Sequence, residues 1–367
     1  MNMRIALIAP PWLPVPPPAY GGIEAVVDRL ARGFRAAGHD VLLFTTGDST
    51  CPVPRAWVLP SAASEHMGRS LEESRHVIAA YHAARAYDIV HDHTLVGPLL
   101  ARAARRPPVV TTAHFPIRGE HHALYRALAG RVPIIAVSRS QVAPDVPVAG
   151  VIPHGLELAD FPLGPGDGGY LLFLGRMNPD KGVEEAVKAA RRLGLRLLVA
   201  AKMDMPWEHA YSEARVRPLL GDGIESIGEP TAQERRRLLQ GARARVNPIR
   251  WAEPFGLVMV EALACGTPVV ASAQGAAPEI VEDGITGFLV HDQASLDRAL
   301  ERVGELDRGV CRRAAETRFS AERMVADHVA LYERLLAHEP RRIPIDPGLR
   351  RQIPLNVSRS RSARAWV

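Results

Sequence analysis

The sequence RWAEPFGLVMVEALACGTP, residues 250–268, predicts a mostly apolar helix with carboxylates near its start. Pro254 suits the first helical position, where its missing N–H has no intrahelical acceptor. The N–H groups of Phe255, Gly256 and Leu257 would then point outward and, with the helix dipole behind them, attract an anion. Because Gly256 has no side chain, a diphosphate could approach the backbone closely. The stretch therefore predicts a phosphate site at the mouth of a helix.

Glu261 is the second informative feature of this helix. It lies roughly 9 Å along the axis from Phe255, at about 1.5 Å per residue, and its side chain leans back toward the helix start. Burying an unpaired carboxylate is costly, so Glu261 must be paired or exposed. We therefore expect it to meet a ribose diol while phosphates lie at the helix mouth. The alternative is a structural helix, with Glu253 as an entry cap and Glu261 at the rim of the core.

Length and composition predict a two-domain globular protein. The chain has 367 residues, of which 47% are apolar and 23% charged, and this is typical of a soluble protein with more than one core. No apolar run reaches the roughly 18 residues of a membrane span, and the start does not resemble a secretory leader. The three cysteines are far apart in the sequence, which favours reduced thiols. We expect a cytoplasmic protein and leave open a peripheral contact at the inner face of the membrane.

Positive charge is concentrated near the C-terminus. Residues from 341 onward carry seven arginines against one aspartate, whereas the net charge of the whole chain is only +5. Proline, serine and arginine without helical periodicity predict a disordered basic tail over residues 339–367. An uncommitted tail is favoured over an arm that binds nucleic acid or an anionic membrane, and no specific nucleic-acid partner is expected.

Short apolar runs alternate with amphipathic segments along the rest of the chain. The first run, residues 3–9, leads through a proline-rich loop to Gly21 and Gly22, which precede a segment with apolar residues at helical spacing. This alternation predicts an α/β fold in which two doubly wound, Rossmann-like domains face a cleft at the carboxyl ends of their strands. Glycine and proline around 155–169 predict a hinge. The expected segments are an N-terminal domain (1–160), a C-terminal domain (161–319), a helix crossing back to the N-terminal domain (320–338) and the tail (339–367).

Two cations follow a predicted strand of the second domain. Arg176 and Lys181 lie in one loop before a helix, and only three of the 45 basic residues are lysines. Cations at the carboxyl edge of a sheet would stabilise a departing diphosphate. No Asp-x-Asp pair occurs, which favours neutralisation by these cations over a divalent metal. His91 and His93 have no third ligand at a characteristic spacing, so we expect neither a metal nor a cofactor.

His114 follows the strand-like run at 109–113 and is predicted to lie at a strand end facing the cleft. A lone histidine is more often structural than functional, so both interpretations stay open at this point. The sequence contains no nucleophile elbow, no phosphate-binding P-loop and no paired Cys-x-x-Cys motifs.

Together these residues resemble the retaining glycosyltransferases of family 4, which have the GT-B fold. The resemblance extends over nearly the whole chain up to about residue 338. Its most specific part is Glu253-x₇-Glu261 within Glu253-Pro-Phe-Gly. The other matching motifs are Gly175-Arg176, Lys181-Gly182, Gly266-Thr-Pro268 and PEIVEDGITGF at 278–288.

The resemblance implies a role for each matching residue. Arg176 and Lys181 would hold the donor diphosphate, Glu253 would contact the donor sugar, and Glu261 would bind the ribose hydroxyls. His114 matches the family histidine that faces the sugar near its 6-position. The remaining donor-binding positions are Gly175, the backbone N–H groups of Phe255, Gly256, Leu257 and Val258, and the glycines Gly21 and Gly22 of the first-domain loop.

The resemblance also implies an activity. A hexose-type sugar would pass from a UDP- or GDP-sugar, bound by the C-terminal donor domain, to a hydroxyl acceptor at the N-terminal domain. Front-face substitution with retention needs charge stabilisation and positioning but no enzyme nucleophile and no metal. The acceptor, whether lipid, glycan or small molecule, is left open, as is the oligomeric state. Two alternatives remain: a catalytically degenerate nucleotide-sugar-binding protein, and a nucleotide-sugar 2-epimerase with acid/base groups in the first domain.

Overall fold

The structure is a computed structural model that describes residues 2–19, 21–101, 107–337 and 356–358. The chain divides into two compact units. The first unit comprises the described residues of Met1–Val137, Val142–Ile152 and Ala321–Val367, and the second comprises Ser138–Gln141 and Pro153–Ser320.

The first unit begins with alternating strands and helices. Its elements up to residue 152 are β1 (Arg4–Ile8), α1 (Gly22–Ala36), β2 (Asp40–Phe44), β3 (Arg55–Trp57), α2 (Ser70–Ala83), β4 (Ile89–Asp92), α3 (Gly97–Ala101), β5 (Val109–Ala113), α4 (Glu120–Leu128), β6 (Ile134–Ala136) and β7 (Gly150–Val151). Strand β1 is buried from Ile5 to Ile8. Such continuous burial is typical of a parallel strand with both faces covered.

The second unit repeats the alternation. Its elements are β8 (Leu171–Arg176), α5 (Val183–Arg192), β9 (Leu197–Lys202), α6 (Pro206–Tyr211), β10 (Ile224–Gly228), α7 (Ala232–Gly241), β11 (Ala244–Asn247), α8 (Leu257–Ala264), β12 (Val269–Ser272), α9 (Ala277–Ile280), β13 (Gly287–Val290), α10 (Gln293–Arg302) and α11 (Arg308–Arg318). All strand pairs are parallel, in the order β10-β9-β8-β11-β12-β13. A capping box formed by Thr231 and Glu234 opens α7.

The last described elements belong to the first unit. They are α12 (Ala321–Ala337) and β14 (Asn356–Ser358). The sheet order of this unit is β14-β3-β2-β1-β4-β5-β6-β7, and β14 pairs with β3 as an antiparallel edge strand. Helix α12 packs on α1 and β4 through Tyr332, whose ring lies 5.5 Å from that of Phe34 and whose hydroxyl lies 2.6 Å from Nδ1 of His91. The two doubly wound sheets confirm the predicted α/β class.

The observed domain boundary differs from the predicted one. The division falls between Ile152 and Pro153 rather than after residue 160, and residues 138–141 also group with the second unit. The carboxylate of Glu279 accepts the backbone N–H groups of Arg139 and Ser140, each at 2.8 Å. This division differs from a contiguous first domain over 1–160, and the hydrogen bonds to Glu279 account for the grouping of residues 138–141 with the second unit.

The glycine-rich stretch predicted as a hinge is part of the packed second unit. The N–H of Gly164 donates to the carbonyl of Cys265 at 3.0 Å. A Cβ at Gly164 would lie only 2.4 Å from Cα of Gln240. Glycine is required at this position because two backbone segments approach each other closely. The glycine content that suggested a hinge therefore reflects close packing at Gly164.

Two further expectations concern the termini and the thiols. The predicted disordered tail lies outside the described residues, except for 356–358, which form β14. All three cysteines are buried and free. Within the part of the chain that the structure describes, no helix is both long and apolar enough to cross a membrane.

Candidate functional site

The carboxyl ends of β8 and β9 bring basic side chains together in the second unit. These strands pair in parallel, with Arg176 opposite Lys202 at their ends. The Nζ of Lys202 lies 2.9 Å from a carboxylate oxygen of Asp204, and its side chain is largely buried. Lys202 was not identified from the sequence, because its position beside Arg176 depends on the strand register.

Arg176 is held by a carboxylate from α6. Its Nε donates to Oε1 of Glu208 at 2.8 Å, and Glu208 is fully buried. The other oxygen of Glu208 accepts the backbone N–H groups of Asp204 and Met205, at 2.9 and 3.1 Å. Burial opposes ionisation of Glu208, but these hydrogen bonds, led by the one from Arg176, keep its pKa below the ordinary value. Glu208 therefore fixes the direction in which Arg176 enters the site.

Lys181 lies at the end of a 3₁₀ turn, Pro179–Lys181. The turn is capped by Asn178, whose side-chain oxygen accepts the N–H of Asp180 at 2.7 Å. The Nζ of Lys181 donates to Oε1 of Glu253 at 2.9 Å and lies 5.1 Å from the centroid of the Trp251 ring. Both charged side chains are mostly buried, with 17% and 18% exposed. The structure thus brings two of the predicted catalytic residues into direct contact.

The helix mouth begins later than predicted. Helix α8 starts at Leu257, not at Pro254, and Gly256 is its N-cap with φ +98°. Pro254 and Phe255 precede the helix because the left-handed backbone at Gly256 interrupts any regular turn before it. The amides of Leu257 and Val258 therefore stand in the first turn, where intrahelical acceptors are missing. Phe255 instead packs its ring against His154, with centroids 5.1 Å apart.

Glu261 lies within the apolar body of α8 and is 3% exposed. Its nearest cation is Arg235 on α7, with Nε 3.5 Å from Oε2 of Glu261. Among the described residues, neither of these two buried atoms has a hydrogen-bond partner. The sequence predicted that Glu261 must be paired or exposed; it is paired electrostatically while keeping unused hydrogen-bonding capacity.

The remaining predicted residues lie in two places. Gly175 precedes Arg176 in β8, and the nearest atom to a Cβ built there is 3.7 Å away, on Phe173. In the first unit, Gly22 is the first residue of α1 and Gly21 is its N-cap in an extended conformation. These glycines and His114 belong to a different unit from the residues around Lys181.

His114 is a partly buried member of a histidine cluster at the ends of β4 and β5, in which His91 and His93 are buried. Its Nε2 lies 2.9 Å from Nδ1 of His93. The rings of His93 and His91 are 3.9 Å apart, and Nε2 of His91 lies 2.8 Å from the Thr112 hydroxyl. Burial, with a smaller contribution from His328, lowers the pKa of His114 to about 3. The imidazole is therefore neutral near pH 7 and suited to hydrogen bonding rather than to charge stabilisation.

In the described ranges no group of three or more histidine, cysteine, aspartate or glutamate side chains is arranged to hold a metal ion. His91 and His93, the pair considered from sequence, are instead engaged with Thr112 and His114.

Two family models match the chain. The model described as Glycosyltransferase Family 4 matches residues 20–144. The model described as Glycosyl transferases group 1 matches residues 168–305, which include every second-unit residue of the predicted site.

Curated relatives match over most of their length. D-inositol 3-phosphate glycosyltransferase of Mycobacterium leprae is 28% identical, over 95% of this chain and 94% of the relative. Phosphatidyl-myo-inositol mannosyltransferase of Mycolicibacterium smegmatis is 27% identical, over 78% of this chain and 81% of the relative.

Solved structures have the same fold. A glycosyltransferase involved in avilamycin A biosynthesis superposes with a TM-score of 0.68 and 26% identity, covering 92% of this chain and 99% of that one. Sucrose-phosphate synthase from Thermosynechococcus elongatus superposes with a TM-score of 0.75 and 24% identity, covering 92% and 100%.

Proposed function

We propose a donor and a mechanism for this chain, which belongs to glycosyltransferase family 4 and has the GT-B fold. The chain is a glycosyltransferase, and the proposed donor is a UDP- or GDP-hexose. The proposed reaction proceeds with retention, by front-face substitution, and requires no metal.

One observation carries the proposal: Lys181 is bound to Glu253 at 2.9 Å and lies over the Trp251 ring. A mostly buried ammonium needs a counter-charge, and here that counter-charge is the carboxylate assigned to the donor sugar. When a donor binds, its diphosphate would replace Glu253 as the partner of the Lys181 ammonium. Glu253 would then be available to bind the sugar. Arg176, held by Glu208, would supply the second cation.

The chemistry then follows from charge. As the bond from the anomeric carbon to the diphosphate breaks, negative charge grows on the leaving oxygen and is stabilised by Lys181, Arg176 and the first-turn amides of α8. The acceptor hydroxyl adds to the anomeric carbon on the same face, and its proton passes to a phosphate oxygen. Glu253 would bind sugar hydroxyls and favour the positive charge on the ring carbon.

The acceptor is proposed only as a class. The names of relatives at 27–28% identity contain inositol 3-phosphate and phosphatidyl-myo-inositol. We therefore propose a hydroxylated small molecule or glycan, with phosphorylated polyols as the first candidates. His114, Gly21 and Gly22 keep their predicted roles toward the sugar and the phosphate as part of this proposal.

A donor screen tests the activity. UDP- and GDP-sugars are incubated with a pool of acceptors that includes inositol phosphates, sugar phosphates and phosphatidylinositol, while nucleotide release and new products are followed by mass spectrometry. We expect one donor class to give a product whose mass rises by one hexosyl residue. Failure of every nucleotide sugar to bind or react would refute the proposed function.

Lys181→Ala tests the assigned site. Because Lys181 acts on charge that is greatest at departure of the diphosphate, we expect kcat to fall by about 100-fold or more. The matched control is Lys188→Ala, since Lys188 forms an exposed ion pair with Glu184 on α5 and should leave turnover unchanged. Near-normal turnover of Lys181→Ala, measured on folded protein, would contradict its role.

A further inference from the structure

The contact between Glu261 and Arg235 is incomplete in a specific way. Both atoms that face each other, Oε2 of Glu261 and Nε of Arg235, are buried and make no hydrogen bond to the described residues. They are 3.5 Å apart, whereas a charge-assisted hydrogen bond of this type is usually about 2.7–2.9 Å. Buried polar atoms without partners are uncommon in native proteins, so this pair needs an explanation.

The backbone that carries Arg235 is held in place by the start of α7. Arg235 lies in the first turn of α7, and its N–H donates to the carbonyl of Thr231 at 2.9 Å. That turn is fixed by reciprocal hydrogen bonds between Thr231 and Glu234. The guanidinium lies close enough to offset the charge of Glu261 but makes no hydrogen bond to Oε2. A carboxylate in this state can still accept hydroxyl protons from a ligand.

We propose that Arg235 is a positioning residue for ribose recognition. It stabilises the buried carboxylate of Glu261 and holds it in the orientation that accepts a vicinal diol, so the pair selects ribonucleotides over 2′-deoxyribonucleotides. This inference rests on the proposed function, in which Glu261 binds the donor ribose. A ribose gives the carboxylate two hydroxyl donors, and a 2′-deoxyribose gives it only one. Loss of one hydrogen bond to a charged group corresponds to roughly a 10-fold to 100-fold loss of affinity.

The experiment compares nucleotide affinities by calorimetry. UDP and GDP are each titrated beside their 2′-deoxy counterparts into the unchanged chain and into Arg235→Met, which keeps the apolar stem but removes the charge. We expect the unchanged chain to prefer the ribonucleotide about 10-fold or more, and Arg235→Met to reduce this ratio to about threefold or less. Arg235→Lys, which keeps the charge, should recover part of the ratio.

Two controls separate positioning from general damage. Arg237→Met alters an exposed arginine on the same helix and should keep the full ratio. In a Glu261→Gln background, Arg235→Met should change the ratio no further, because Arg235 acts through Glu261. Arg235→Gln provides a second uncharged variant, with the same expected loss, in case the methionine variant does not fold.

The outcomes are distinguishable. If the unchanged chain binds neither UDP nor GDP, the proposed function and this inference both fail. If it binds and discriminates, but the uncharged variants keep the ratio or weaken both nucleotides equally, the inference alone is overturned.

Discussion

Glu208 illustrates how one buried carboxylate directs a neighbouring guanidinium. It bonds Arg176 with one oxygen and two backbone amides with the other. Glutamine has only one accepting oxygen, so it cannot accept hydrogen bonds from both the Arg176 guanidinium and the backbone amides. We expect Glu208→Gln to lower kcat/KM for the donor roughly 10-fold, because Arg176 loses its fixed direction.

A double-mutant cycle checks that effect. If Glu208 acts through Arg176, the Glu208→Gln change should have no further effect on turnover in an Arg176→Ala background. Glu213→Gln is the control, since Glu213 forms an exposed pair with Arg217 in the next turn and should be silent. Additive losses would mean that Glu208 supports the protein in some other way.

Gly256 determines the residue at which helix α8 begins. Its φ of +98° is unfavourable for any residue with a side chain, and an added Cβ would lie 2.5 Å from Cε of Met259. We expect Gly256→Ala to lower the free energy of unfolding by about 1–2 kcal/mol, as measured by denaturant titration. Gly175→Ala is the comparison, because a Cβ has room there and stability should hardly change. Equal stability of the two variants would show that α8 can start without a glycine.

Element positions could largely be predicted from the sequence, but the helix start could not. The runs predicted at 3–9 and 109–113 form strands β1 and β5, because buried parallel strands are rich in apolar and β-branched side chains. Pro254 suggested a helix start, but the left-handed backbone at Gly256 imposed a later one. Strand β3, with only three residues, is too short to give a periodic signal.

The candidate site was predictable only where a motif is local. Lys181 and Glu253 were found from their motifs, and the structure adds that they touch. Glu208 and Arg235 were missed in the sequence. Their partners, Arg176 and Glu261, lie 32 and 26 positions away, and pairing at such a separation depends on the tertiary fold. A charged residue on a helix gives no sign in the sequence of which distant carboxylate or guanidinium it will meet.

The two units should respond differently to acid. In the first unit, burial lowers the pKa of His76 and His328 to about 4 and that of His114 to about 3. The unfolded chain therefore binds more protons than the folded unit below about pH 6.5, so stability falls as the pH drops. Asp92, whose pKa burial raises to about 6, acts in the opposite direction, but it is outnumbered by these histidines.

The second unit should lose stability only at a lower pH than the first unit. Its shifted carboxyls, Glu208 and Asp297 among them, have lowered pKa values, so their stabilising effect is lost only as the pH falls below their ordinary range near 4. We expect hydrogen exchange at pH 5.5, relative to pH 7.5 and corrected for intrinsic rates, to lose protection first in β4, β5 and α12. Earlier loss in β8 and β9 would contradict this order.

The pairing of Lys181 with Glu253 has a consequence for turnover. If the diphosphate binds Lys181 as proposed, a nucleoside diphosphate without its hexose would separate Lys181 from Glu253 and offer Glu253 no sugar hydroxyl in exchange. In the proposed mechanism the intact donor would bind both side chains, whereas the nucleotide product would compete with Glu253 for Lys181. Re-formation of the ion pair between Lys181 and Glu253 would therefore favour release of the nucleotide product at the end of each catalytic cycle.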